Sequence, residues 1–253
     1  MSPLQASQKA AGATPEGSRD EHSAAHAVQQ MFADVAPRYD LLNHVLSFNV
    51  DRFWWWRAAR TFSHILQRPE ARILDLCCGT ADMTLALRRR AGATANQIVG
   101  ADFVHAMLTR ATRKTAEKKI ALMEADALHL PLPDGRFDLV TSAFGFRNLA
   151  NYDAGLREIH RVLRSGGEIG ILDFSEPTGI LGKLYRVYFK HILPRIGSLI
   201  SGVRGPYDYL PASVERFPEP EEMKKKMEAA GFTDVSWTPY TFGIAGLFGG
   251  KKI

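Results

Sequence analysis

Cysteine is nearly absent from this 253-residue chain: Cys77 and Cys78 are the only two, and they are neighbours. Adjacent cysteines do not close an ordinary disulfide loop and lack the spacing of a zinc site. They read as two small buried residues of a protein in a reducing compartment, with no metal expected. No apolar run approaches the roughly 18 residues that a spanning helix needs, and no apolar signal core occurs near the N-terminus. A cytoplasmic location is the expectation. Strong charge of one sign is also lacking: 32 Lys and Arg face 27 Asp and Glu, a net +5. That mild excess suits nucleic acid, an anionic membrane surface or neither, and selects none of them.

What is present is a body of ordinary core size, 45% hydrophobic and 23% charged, sufficient for one domain. Residues 1–24, rich in Ala, Ser, Gln and Gly and poor in large apolar side chains, read as a disordered tail. From Ala25 the pattern turns helical, with Val28, Met31, Phe32 and Val35 spaced along one face before Pro37 interrupts. Residues 25–66 are therefore expected to form a helical lid. Strands at "RILDLC", "QIVGAD", "IALMEAD", "FDLVTSAF" and "GEIGILDF" then alternate with helices near 82–90, 104–119 and 152–163. Such alternation predicts a doubly wound α/β fold, its mostly parallel sheet covered by helices on both faces. A stretch without acidic residues between Glu176 and Asp208 breaks the alternation and reads as a helical insertion, 177–213. A helix around "EPEEMKKKMEAAG" and the strands "FTDVSW" and "TFGIAGLF" close the chain as an antiparallel hairpin, for seven strands in all.

The turn after the first strand, "ILDLCCGTAD", has one Gly where a dinucleotide fingerprint carries three, and it places a carboxylate, Asp82, where a pyrophosphate would rest. Phosphate would be repelled there, whereas a cationic nucleoside suits it. S-adenosylmethionine, with its sulfonium and ammonium, is the common cofactor of that kind. Asp75 and Asp82 can receive the ammonium while Gly79 lets the backbone approach; capping of the following helix is the plainer use of Asp82. Asp102, 23 residues beyond Gly79 at the tip of the second strand, is placed for the ribose hydroxyls. Asp126 and Ala127, after the third strand, offer an acceptor for the adenine amine beside room for its ring.

The segments "IVGADFVHAML", "ALHLPLPDGRFDLVTSAFGFRN" and "REIHRVLRSGGEIGILDFSEP" complete a series that resembles the motifs of class I S-adenosylmethionine-dependent methyltransferases. More narrowly, "APRYDLLNHVLSFNVDRFWW", "FGFRN", "HILPRIGSL" and "YDYLPASVERFP" resemble the demethylmenaquinone and ubiquinone-biosynthesis C-methyltransferases across about residues 28–252. The "CCGTAD" form with Ala81 looks more like the menaquinone branch. The resemblance implies cofactor contacts at Thr80, Asp102, Asp126, Ala127 and position 143, where Ala143 stands in place of a family Ser. Phe248 replaces a family His.

That resemblance implies methyl transfer to a ring carbon of a prenylated hydroquinone, which needs the ring hydroxyl deprotonated or its oxyanion stabilised. Arg147 is expected to hold the quinol oxygen or an activated water, and Asn148 to orient the ring. Tyr39, Asn43 and Ser47 would close over the substrate together with Tyr207, while Asp40 or His44 relays the proton. In the insertion, Leu181, Leu184, Tyr185, Tyr188 and Ile192 recur at helical spacing against Lys183, Arg186 and Lys190, which suits either peripheral docking on an anionic bilayer or packing on the domain itself. The alternatives are a benzoquinol ring, an RNA substrate or a non-catalytic scaffold. A nucleic-acid substrate is disfavoured because no Asn/Asp-Pro-Pro-Tyr run occurs.

Overall fold

Period-two alternation along strands buried on both faces sorts the core of this protein. The structure is a computed structural model that describes residues 12–40, 47, 49–94, 97–177, 182 and 205–253, with side chains in the last segment from 209 onward. Its helices are α1 (Glu21–Val35), α2 (Val50–Thr61), a single-turn α3 (Ser63–Leu66), α4 (Asp82–Ala91), α5 (His105–Thr115), α6 (Tyr152–Val162), α7 (Gly205–Arg216) and α8 (Pro220–Ala229). Its strands are β1 (Arg72–Leu76), β2 (Gln97–Asp102), β3 (Ile120–Glu124), β4 (Phe137–Ala143), β5 (Leu163–Phe174), β6 (Phe232–Tyr240) and β7 (Ala245–Lys252).

They form a seven-stranded sheet in the order β3-β2-β1-β4-β5-β7-β6. The first five strands are parallel, and β7 runs antiparallel to both β5 and β6. On β1, Leu74 and Leu76 enter a core with Leu156 and Ile159 of α6 and Met223 and Met227 of α8. Ile73 points the other way, among Trp54 and Ala58 of α2, Leu66 of α3 and Leu87 of α4. Chain order reverses between β1 and β4, and in open parallel sheets ligands bind beyond the carboxyl ends of the strands at such a switch point.

The N-terminal boundary lies earlier than composition suggests. Asp20 Oδ1 accepts from the Ser23 N–H at 2.8 Å and Ser23 Oγ accepts from the Asp20 N–H at 3.0 Å, a reciprocal cap that starts α1 at Glu21. Ala13 is buried, and its N–H donates to Leu149 O at 2.8 Å. Ala13 and Ala24, within the stretch assigned to a tail by its lack of large apolar side chains, are thus buried, and residues 20–24 belong to α1 and its cap. The helical insertion expected at 177–213 falls largely outside the described residues; its last part forms α7, which includes Pro211.

Phe248, which stands where the resemblance implies a histidine, is fully buried on β7 between Trp237 and Phe217, with ring centroids 4.2 and 6.3 Å away. Its neighbours offer an imidazole little but hydrocarbon. Phe248→Ala is expected to lower unfolding free energy by about 3–5 kcal/mol through the cavity it leaves. Phe248→His is expected to cost about 1–3 kcal/mol from an unsatisfied ring nitrogen; urea denaturation of the three proteins measures both.

Candidate active site

The β1–α4 turn makes three left-handed steps, at Cys77 (φ 55°), Gly79 (φ 55°) and Ala81 (φ 72°). These steps turn backbone N–H groups toward the second strand. Gly79 N–H donates to Asp102 Oδ2 at 2.8 Å, and the other carboxylate oxygen accepts from Val104 N–H at 2.9 Å. Each oxygen retains a lone pair for a ligand. Burial is the main cause that pushes the Asp102 carboxyl up to about 6.

Asp102 and Gly79 face an open cleft beyond the sheet edge. Asp126, Ala127 and Leu128 line it after β3; Ala143, Phe144, Gly145 and Asn148 line it after β4; Ala25, Val28 and Phe32 of α1, with Tyr39, cover it. Among the described lining residues, Asp102 and Asp126 are the only charged side chains. The cleft is therefore negative, and it favours a cation over a phosphate. Gly145 is required where it stands, because an added Cβ would lie 2.3 Å from Cys77 Cβ. Burial pushes the Cys77 thiol well above its usual range, which keeps it protonated rather than nucleophilic.

Several expected site residues do not line the cleft, Asp75 and Arg147 among them. Asp75 points away from the cleft, accepting from Thr84 Oγ1 at 2.5 Å and Thr141 Oγ1 at 2.8 Å. Burial pushes its carboxyl up to about 6. Alternation along β1 sends it to the α4 side, so it braces the turn instead of meeting an ammonium. Arg147 lies in the 3-10 turn Phe146–Asn148 and is not among the cleft residues. Its guanidinium bonds Phe144 O, pairs with Asp173 Oδ1 at 2.9 Å and lies 5.2 Å from the Phe174 ring centroid. The backbone N–H of Arg147 also donates to Asp173 Oδ2 at 3.1 Å. Arg147 thus anchors the turn, and its neighbour Asn148 is the residue that reaches the cleft.

Thr80, Asp82 and Asp40 converge beside the cleft on Lys114 of α5, a residue sequence reasoning missed. Lys114 Nζ lies 2.6 Å from Asp82 Oδ1, 3.1 Å from Asp40 Oδ2 and 3.2 Å from Thr80 Oγ1. Thr80 Oγ1 also donates to Asp40 Oδ1 at 2.5 Å, which ties the lid segment to the turn. Ser47 accepts at its carbonyl from Val50 N–H and does not line the cleft. Asn43, His44 and the side chain of Tyr207 lie outside the described residues. Tyr209, two residues on, contacts a cleft residue: its hydroxyl donates to Asn148 Oδ1 at 3.2 Å. Burial pushes the Tyr209 phenol up to about 12.

Against known families, residues 19–252 match the model of the ubiE/COQ5 methyltransferase family. The chain belongs to that family. Similar ubiE/COQ5-type relatives include a demethylmenaquinone methyltransferase of Deinococcus radiodurans, 48% identical over 92% of this chain and 95% of that protein. Another, of the same name from Thermus thermophilus, is 49% identical over 88% of this chain and all of that one. A solved structure described as a S-adenosylmethionine-dependent methyltransferase, possibly a histamine N-methyltransferase, from Thermotoga maritima superposes with a TM-score of 0.62. It is 18% identical, covers 89% of this chain and all of its own, and so attests the fold.

Removing Asp173 strands a buried guanidinium. Asp173→Ala is expected to cost about 3–5 kcal/mol in chemical denaturation, and Arg147→Met added to it to recover a large part of that loss. No recovery in the double variant would show that Asp173 acts through something other than Arg147.

Proposed function

We propose that this methyltransferase moves the methyl group of S-adenosylmethionine to a ring carbon of a prenylated hydroquinone, demethylmenaquinol, in quinone biosynthesis. The observation that carries the cofactor reading is the charge of the cleft: two carboxylates, no cation among its described lining residues, and a glycine-backed turn at the sheet's switch point. The naphthoquinol ring is supported by the names of the two relatives at 48% and 49% identity.

When bound, S-adenosylmethionine supplies an activated methyl group together with its own leaving group. Asp102 holds the ribose hydroxyls with its remaining lone pairs, Asp126 accepts from the adenine amine, and Ala127 leaves space for the ring. Gly79 admits the backbone close to the ligand, and the Thr80–Asp82–Asp40 cluster on Lys114 keeps that turn and the lid together. Tyr209 holds the carbonyl end of Asn148, and Asn148 Nδ2 lies 3.5 Å from Phe144 O, so that its second amide hydrogen is left to meet charge developing on the phenol oxygen. Arg147, clamped by Asp173, orients that turn. Tyr39 and α1 close the cleft and exclude water.

The protein is expected to methylate a reduced demethylmenaquinone analogue and to leave the oxidised form untouched, measured by transfer of labelled methyl. Transfer only to other acceptors would overturn the reading. Asn148→Ala is expected to lower kcat by about 100-fold with little change in cofactor affinity.

Cofactor affinity should also depend on pH through Asp102. Its carboxyl titrates near 6 in the ligand-free protein, and ribose hydroxyls that donate to it favour the charged form. Affinity should then be constant above pH 6 and fall as the pH drops through that value, because the proton must first leave. Calorimetric titration of wild type and Asp102→Asn tests this; the variant should bind weakly at all pH values and lose the slope.

A further inference from the structure

Helix α2 departs from the usual separation of buried aromatic and exposed polar residues. Trp54 and Trp55 are buried, but Phe53 and Trp56 are 47% and 49% exposed, with their rings stacked at 5.8 Å. Arg60 lies on the same stripe, its guanidinium 5.4 Å from the Trp56 ring centroid, and Arg57 lies 4.2 Å from the Tyr240 ring centroid. Arg52 is exposed beside Phe53. Among the described residues, none of these three arginines pairs with a carboxylate, and the acid of this helix, Asp51, is buried. A solvated helix face normally carries compensating acids; this one joins bare cations to apolar rings.

A third exposed aromatic borders it. Trp54 Nε1 donates to Thr241 Oγ1 at 2.7 Å, and Phe242, the next residue, is 80% exposed. Thr241 and Phe242 both have left-handed backbones, φ 46° and 58°, uncommon for a β-branched and an aromatic residue in succession. This turn precedes Ala245, which pairs with Phe174 at the carboxyl end of β5. The patch therefore sits at the sheet edge on which the cleft opens. Beneath it the rings of Trp54, Phe174 and Phe144 pack together, with centroid separations of 4.6 to 5.9 Å, and Phe144 lines the cleft.

We propose that α2 and the Thr241–Gly243 turn form the face by which the protein docks on an anionic bilayer. Phe53, Trp56 and Phe242 enter the headgroup region while Arg52, Arg57 and Arg60 meet lipid phosphates. The same face presents the aromatic wall of Trp54, Phe174 and Phe144 to a quinol ring whose prenyl chain stays in the membrane; this last clause rests on the quinol reading. Lipid is favoured over nucleic acid because the patch continues into the wall of Trp54, Phe174 and Phe144, and the neighbouring cleft, with two carboxylates and no cation among its described lining residues, repels a phosphate backbone.

Full-length protein co-sedimented with phosphatidylcholine vesicles, with and without phosphatidylglycerol, tests the assignment. Binding is expected to need the anionic lipid. Arg52→Gln with Arg60→Gln should lower partitioning by at least tenfold, at about fivefold for each arginine. Phe53→Ser with Phe242→Ser should lower it to a similar degree. Thermal melts of both variants should match wild type, as should methyl transfer to a short-chain quinol in solution, while transfer to a long-chain quinol in vesicles should fall. Unchanged sedimentation of both variants, equal binding to neutral vesicles, displacement of the protein from vesicles by an RNA oligonucleotide, or a dimer that these substitutions dissociate would each overturn the proposal. If no quinol is methylated at all, the quinol reading fails while the sedimentation result still decides the docking.

Discussion

The hydrogen bond from Gly79 N–H to Asp102 joins the tips of β1 and β2, and the rest of the site is arranged around it. It requires the left-handed turn from Cys77 to Ala81, and that turn in turn requires Gly145, without a Cβ, to pass beside Cys77. Asp75 braces the same turn from behind through Thr84 and Thr141. Two buried carboxylates, each pushed up to about 6 by burial, are thus held near one turn. Only Asp102 of the two faces the cleft; Asp75 is spent on the turn itself.

Much of this fold is legible in the residues, for an identifiable reason. Parallel strands buried on both faces appear as short apolar runs, and helices between them carry a clear periodicity. The same burial on both faces hid the orientation of Asp75: without apolar and polar alternation along β1, nothing local says which side a residue faces. Arg147 was misplaced because its partner, Asp173, lies 26 residues away on a different strand. Lys114 was missed because its partners on the turn are 32 and 34 residues distant and no local spacing joins them. The N-terminal boundary carried a readable signal, the Asp20–Ser23 cap, but the scarcity of large apolar side chains outweighed it.

The lid is held by polar contacts as well as by a small apolar cluster of its own, in which Val35 and Ala36 pack on Val104 and Met107. Lys114 gathers Asp40 from the lid and Asp82 from the turn, and Gln29 Nε2 donates to Phe103 O at 2.7 Å. Asn151 Nδ2 donates to Glu21 Oε1 at 2.7 Å at the other end of α1. Partly exposed contacts of this kind are individually weak and exchange readily with water. A cover fastened in this manner can release product without disturbing the core beneath it.

The position of β7 bears on the order in which the protein is made. It is last of the seven strands in sequence, yet it lies inside the sheet, between β5 and β6. While the chain leaves the ribosome, β5 therefore presents an open edge with unpaired backbone groups, and β6 has no place to dock until β7 arrives. Every earlier element can pack, α1 included, and the sheet still has a bare edge capable of pairing with another nascent chain. The β6–β7 hairpin is what ends that exposure, so the aggregation hazard of this enzyme is concentrated in the interval between the synthesis of β5 and that of β7.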